Sequence, residues 1–176
     1  MYGGGEFSWR DLEVPFTPLP PAPPAIQRVD WEERLGRAYL YWAPHDLAAF
    51  SAEYLFERFD RDEGFGIEQI DQLDTHRLRL GIRHFHPSGF SARFNASYVS
   101  QKGEFGQFEV FPTIPGEDRF WVFDAALGYR LPERHGLITL EARNLFDGEF
   151  QFQDSDPGSP AILPERLILL RFTVSF

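Results

Sequence analysis

Apolar side chains recur at every second position through most of this chain, and the face they define carries no charge. Seven segments show the alternation: 36–43, 47–59, 74–86, 90–101, 119–131, 136–146 and 165–176. A period of two sends alternate side chains to opposite faces of a strand, and β-branched and aromatic residues fill many of the positions. One face reads Leu40, Trp42, Phe50, Tyr54, Leu78, Leu80, Ile82, then Phe90, Phe94, Tyr98, Trp121, Phe123, Leu127 and Tyr129. It continues through Ile138, Leu140, Ile168, Leu170, Phe172, Val174 and Phe176. The opposite face holds eight Arg (37, 77, 79, 83, 93, 130, 143 and 171) against four acids, Glu53, Glu57, Asp124 and Glu141. Unpaired charges are too costly to bury, so the charged face is not the core of a sandwich. Hydrocarbon on one side of a wall and water on the other accounts for both faces. A soluble sheet with a polar side in water accounts for the alternation, but it requires an element to cover the apolar side.

The connections carry a second regularity. Pro44-His45-Asp46, Pro87-Ser88-Gly89 and 132–135 are short, whereas 60–73, 102–118 and 147–164 are long. Short turns at one end of an antiparallel sheet and long loops at the other are the build of outer-membrane barrels. The expected fold is therefore all-β: an antiparallel transmembrane β-barrel, present as a partial wall of about seven strands in meander order. Its short turns are periplasmic and its long loops extracellular. Residues 1–35, with six prolines in the twelve residues 15–26, read as an irregular Pro-rich loop or linker. Residues 36–176 read as the barrel strands.

Composition narrows the classes that remain. No run of 18 apolar residues offers a spanning helix, and residues 1–30 lack the pattern of a signal peptide. With no Cys there are no disulfides or thiolate metal sites. A formal charge of −10 argues against nucleic acid as a partner. No nucleophile elbow, phosphate loop or Ser–His–Asp spacing is present, so neither an enzyme nor a cofactor is expected. His84 and His86, two residues apart on one face, are weighed as metal ligands, and an interfacial polar role is preferred. The acidic loop 60–74 could attract a divalent cation, but a solvated loop is the simpler reading.

At "EARNLFDGEF" and "RLILLRFTVSF" the chain resembles the C-terminal end of TonB-dependent outer-membrane receptors. Asn144, Leu145, Phe146 and Asp147 match the family's Asn-Leu-Phe-Asp step, Phe150 the aromatic after it, Arg166 the Arg that opens the last strand, and Phe176 the terminal aromatic. The resemblance covers roughly 36–176. It implies a C-terminal barrel portion taking up a scarce ligand at the cell outer membrane, with lipid and the barrel-assembly machinery as partners and TonB engaged through a plug domain. It also implies that Phe172, Val174 and Phe176 form the assembly signal. The family's barrel has about twenty-two strands, so the chain is expected to be a fragment of a larger barrel. A self-closed small barrel using 5–12 as an eighth strand is the competing arrangement. The functional alternatives are a plugless porin or polysaccharide-export barrel and a soluble ligand-binding β protein.

Turn lengths predict which lumen charges meet. A three-residue loop at 87–89, with Gly89 left-handed, sets Ile82 opposite Phe94 and Arg83 opposite Arg93. The same count over 44–46 sets Arg37 opposite Glu53, and a four-residue loop at 132–135 sets Asp124 opposite Arg143. Like charges face to face are destabilising. Arg83 and Arg93 are therefore expected to contact either a carboxylate outside these strands, such as one on a plug, or water and Glu53 or Glu57.

Overall fold

The computed structural model describes residues 1–16, 27–61, 72–107, 110–150, 162 and 165–174, without the side chains of Phe16, Gln27, Val29, 104–107, 110–114 and Arg134. It is a single antiparallel sheet of eight strands joined in chain order, a pure meander. The strands are β1 (Tyr2–Phe16), β2 (Gln27–His45), β3 (Ala48–Arg61), β4 (Gln72–Phe85), β5 (Phe90–Gln107), β6 (Val110–Arg130), β7 (Gly136–Arg143) and β8 (Leu167–Val174). Among the described residues β1 pairs only with β2 and β8 only with β7, so the sheet is open. Among the described residues no helix is long and apolar enough to cross a membrane.

The strand count corrects the expected seven, and the difference lies in the first 35 residues. Tyr2 to Phe16 form a full strand paired with Gln27 to Tyr41, where an irregular segment was expected. Backbone ladders need no apolar side chains, so Gly3–Gly5 and the charged run Asp30-Trp31-Glu32-Glu33-Arg34 pair as readily as the amphipathic stretches. Of the first 35 residues, 17–26, the heart of the Pro-rich stretch, lie outside the described residues. The expected loop 102–118 is likewise mostly strand: β5 and β6 stay paired from Gln101↔Asp118 out to Gln107↔Val110.

Two of the three predicted registers hold. At 87–89, Ile82 faces Phe94 and Arg83 faces Arg93, and Gly89 has φ 94°. At 131–136, Leu131 N donates to Gly136 O, and Ala125 pairs with Ala142, the register that brings Asp124 and Arg143 level just past the end of the ladder. The third fails: Arg37 faces Leu55, and Glu53 faces Tyr39. His45 pairs with Ala48, so the turn lies further along the chain than expected; a one-residue bulge between Trp42 and His45 takes back part of that displacement, and the strands end two residues from the expected register.

The two faces behave oppositely to those of a soluble domain. Leu127, Ile168, Leu170, Phe172 and Val174 are each at least 60% exposed, whereas Thr75, Asn95, Ser97 and Gln101 are buried. The polar face is the concave one, since side chains from β3 through β7 line a single cavity on it. Toward the long-loop end this face carries the small buried apolar cluster of Val99, Phe120, Val122 and Ile162, with Phe150 packed against it. Phe150 stacks on Phe120 at 4.2 Å. Phe150 and Ile162, both from beyond β7, thus lie over the concave face.

Candidate functional site: an apolar outer face and a charged inner face

The outer face is built in rows by the register. One row runs Trp42, Phe50, Ile82, Phe94, Ala125, Ala142, Ile168 across seven strands. The next runs Leu40, Ala52, Leu80, Ala96, Phe123. Large and small side chains alternate along the second row, whereas the first is bulky from Trp42 to Phe94 and small at Ala125 and Ala142. Nearer the loop end follow Ala38, Tyr54, Leu78, Tyr98 and Trp121, whose rings interlock: Tyr98 and Trp121 lie 5.2 Å apart, and Tyr54 Oη is 2.7 Å from His76 Nδ1. Two residues beyond His76 the composition changes at once to Arg34, Arg58, Asp74, Lys102 and Glu117. At the turn end the band closes with Phe90 against Tyr129 at 4.5 Å and Trp42 against Phe50 at 5.6 Å. Along β5 it runs from Phe90 to Tyr98, about 27 Å of strand, or about 20 Å along the axis of a barrel with ordinary tilt.

On the inner face the predicted lumen charges sort into three groups. Arg37 Nε donates to Glu53 Oε1 at 2.9 Å, and its Nη1 reaches Glu6 on β1 at 3.2 Å. The expected Arg37–Glu53 pair therefore forms on the diagonal, despite the shifted register. Asp124 accepts from the backbone N of Asn144 at 3.1 Å and stands 3.9 Å from Arg79 Nη2. Glu141, its side chain only 12% exposed, accepts from Arg143 Nε at 2.9 Å, and the same oxygen stands 3.3 Å from Arg93 Nη2 in an ion pair.

The last contact replaces the expectation for Arg93. Its carboxylate is neither outside these strands nor Glu53 or Glu57; it is Glu141, two strands away. The residue between them in the row is Ala126, small enough for the guanidinium to arch over. Arg83, directly opposite Arg93, instead borders a turn-end cavity with Tyr2, Tyr41 and Ser51. Like-charge repulsion across the pair is thus relieved by Arg93 turning away. On the inner face Gly81 stands between Ser51 and Asn95, and a Cβ there would fall against Ser51 Oγ and 2.8 Å from Asn95 Oδ1, so a larger residue would make those side chains move.

The Asn-Leu-Phe-Asp step forms one compact unit. Asn144, 2% exposed and left-handed at φ 45°, donates through Nδ2 to Gly148 O at 3.1 Å and accepts from Gly148 N at 3.0 Å. Asp147, also left-handed at φ 56°, accepts from the backbone N of Arg166 at 3.0 Å, and its other oxygen lies 3.8 Å from the Arg166 guanidinium. The motif therefore ends β7, ties it to β6 through Asp124 and Leu145 N→Phe123 O (2.7 Å), and sets the start of β8. Phe146 stays outside, edge-on to Phe123 at 5.3 Å. Of the expected assembly residues, Phe172 and Val174 lie on the exposed apolar face of β8, while Phe176 lies outside the described residues. His84 and His86 stand 6.4 Å apart near the turn end, with His86 Nδ1 2.6 Å from Ser88 Oγ. Among the described residues no three metal-ligating side chains converge.

Sequence reasoning missed Glu6 and the shared role of Glu141. A shared carboxylate two strands from its cation has no local spacing to announce it.

Fold and faces together define an all-β protein: one open, eight-stranded antiparallel meander with an apolar convex face and a charged concave one. No family model, no curated protein and no solved structure matches this chain.

Proposed function

We propose that these strands form part of the wall of an outer-membrane β-barrel, with the convex face in lipid and the concave face toward an aqueous lumen. The barrel serves uptake in the manner of the TonB-dependent receptors that the motif around Asn144 and Arg166 resembles. The observation that carries the reading is the inverted amphipathicity. Large apolar side chains are exposed across the whole convex face, with nothing in the chain's described residues covering them, while Asn, Ser, Thr and Gln are buried on the other side. In water, so large an apolar surface requires a partner; in a bilayer, hydrocarbon is that partner. An apolar extent near the roughly 25 Å of known barrels, with aromatics at both ends, supports the same placement. On this reading the partners are lipid, the assembly machinery that recognises the end of β8, and a plug domain that engages TonB.

The test is to express the full chain with a cleavable secretion signal in a Gram-negative host, then fractionate the membranes and compare electrophoretic mobility before and after boiling. Recovery in the outer membrane, with a mobility shift on boiling, is expected. Recovery as soluble periplasmic protein without detergent refutes the reading.

A further inference from the structure

The geometry points to an oxyanion-binding site on the concave face, in the cavity of about 360 Å³ that spans β3 to β7. This goes beyond a transport role, because it assigns the chemistry of what the face holds. Four arginines line the cavity, Arg77, Arg79, Arg93 and Arg143, together with three carboxylates, Glu53, Asp124 and Glu141. The carboxylates are largely committed. Glu53 is turned to Arg37 at 2.9 Å, and Asp124 caps the backbone of Asn144 at 3.1 Å. Glu141 serves Arg93 and Arg143 through one oxygen. Arg77 has an interaction of its own; leaving it aside, and counting Arg37 with its second partner Glu6 and Arg171 opposite Thr139 on β8, five guanidiniums stand with four carboxylates among the described residues. The chain as a whole is −10, so positive charge has been gathered here against the overall composition.

One donor is also left over. The Nε of Arg93 is out of solvent with no acceptor among the described residues, although its Nη2 reaches Glu141. Planar guanidiniums bind carboxylate and phosphate through paired N–H donors. An oxyanion entering the cavity can take Arg93 and Arg143 from Glu141 and give both a full set of acceptors. Asn95 and Ser97, which line the same cavity, supply neutral polar groups beside it. Glu141 then acts as a resident counter-ion that competes with the ligand, so removing its charge should strengthen binding rather than weaken it.

Calorimetric titration of the purified full chain in neutral detergent tests this, with sodium phosphate and, separately, sodium succinate at low ionic strength. Saturable binding of at least one is expected; phosphate alone assigns phosphate-bearing ligands, and succinate alone assigns carboxylates. Arg143→Gln and Arg93→Gln should each weaken binding about tenfold, the usual scale of one charge-assisted contact. Glu141→Gln should tighten it several-fold, and Lys102→Gln, at the far loop end, should leave it unchanged. If Glu141→Gln fails to give β-sheet circular dichroism, Asp124→Asn makes the same prediction of tightening. Absence of saturable binding by either anion overturns the site. So does weakening by the carboxylate variants alongside the arginine ones, which would make the cluster an internal brace. Because the titration is made in detergent on folded protein, its outcome is independent of where the chain resides in the cell.

Discussion

Replacing Leu80 by arginine separates a lipid-facing wall from a soluble sheet. Leu80 is 43% exposed, and its direct row partners are Ala52 and Ala96, with Leu40 and Phe123 beyond them. The small partners leave room for a longer side chain, so overpacking contributes nothing, and no carboxylate stands in the row to pair with it. In water, a surface substitution of this kind stays within about 0.5 kcal/mol. Near the midplane of a bilayer it costs about 2–4 kcal/mol, a shift of about 30- to 900-fold in the folding equilibrium. The control is Ser51→Arg on the inner face, where the side chain opens onto a cavity of about 350 Å³ beside Tyr41 and Arg83. Even with Arg83 nearby, its cost in a wet lumen should stay under about 1 kcal/mol. The assay is urea unfolding of the full chain refolded into phosphatidylcholine vesicles. Leu80→Arg within 0.5 kcal/mol of the parent, or as tolerable as Ser51→Arg, refutes the assignment of faces.

Three further outcomes are expected. Asn144→Ala loses both Gly148 hydrogen bonds and leaves a left-handed residue without a side chain suited to it, for about 2–3 kcal/mol in the same unfolding assay. Asn144→Gly, which keeps the backbone free, should cost about 1 kcal/mol less; equal costs would show that the backbone conformation contributes nothing. A double-mutant cycle on Arg37 and Glu53, both about one-third exposed, should give a coupling of about 0.5–1 kcal/mol, and zero coupling would mean that the 2.9 Å contact adds nothing net. Deleting Phe176 should impair accumulation in the outer membrane without reducing synthesis, as the resemblance implies; normal surface levels by protease accessibility would reduce that residue to ordinary packing.

Strand positions between 36 and 176 were legible because a side-chain period of two is a local property. Segment 74–86 became β4 at Gln72–Phe85 and segment 47–59 became β3 at Ala48–Arg61. What lay before residue 36 was legible only in part: 5–12, weighed as an eighth strand, fall inside β1, but the full hairpin of β1 and early β2 was not expected. Glycines and charges in β1 and early β2 carry no alternation, and these strands form because a neighbour's backbone is there to pair with. The paired extension of β5 and β6 was hidden for the same reason. Half of the candidate site was equally out of reach. Asn144, Asp147 and Arg166 could be picked out by their pattern, yet the bonds that join them span 19 residues.

By itself the sequence determined which residues share a face, and wherever a turn's length was unambiguous it determined the register too, as at 87–89. Both follow from the fixed geometry of an extended chain. Only the tertiary structure decided that the turn closes at His45 and Ala48 with a bulge beside it, which moved Arg37 off Glu53's row while leaving their side chains bonded. Only it decided that Arg93 reaches past Ala126 to Glu141. Arginine is long, alanine is short, and cross-sheet distance is set by strand order, so a charge finds its partner through space that no spacing along the chain records.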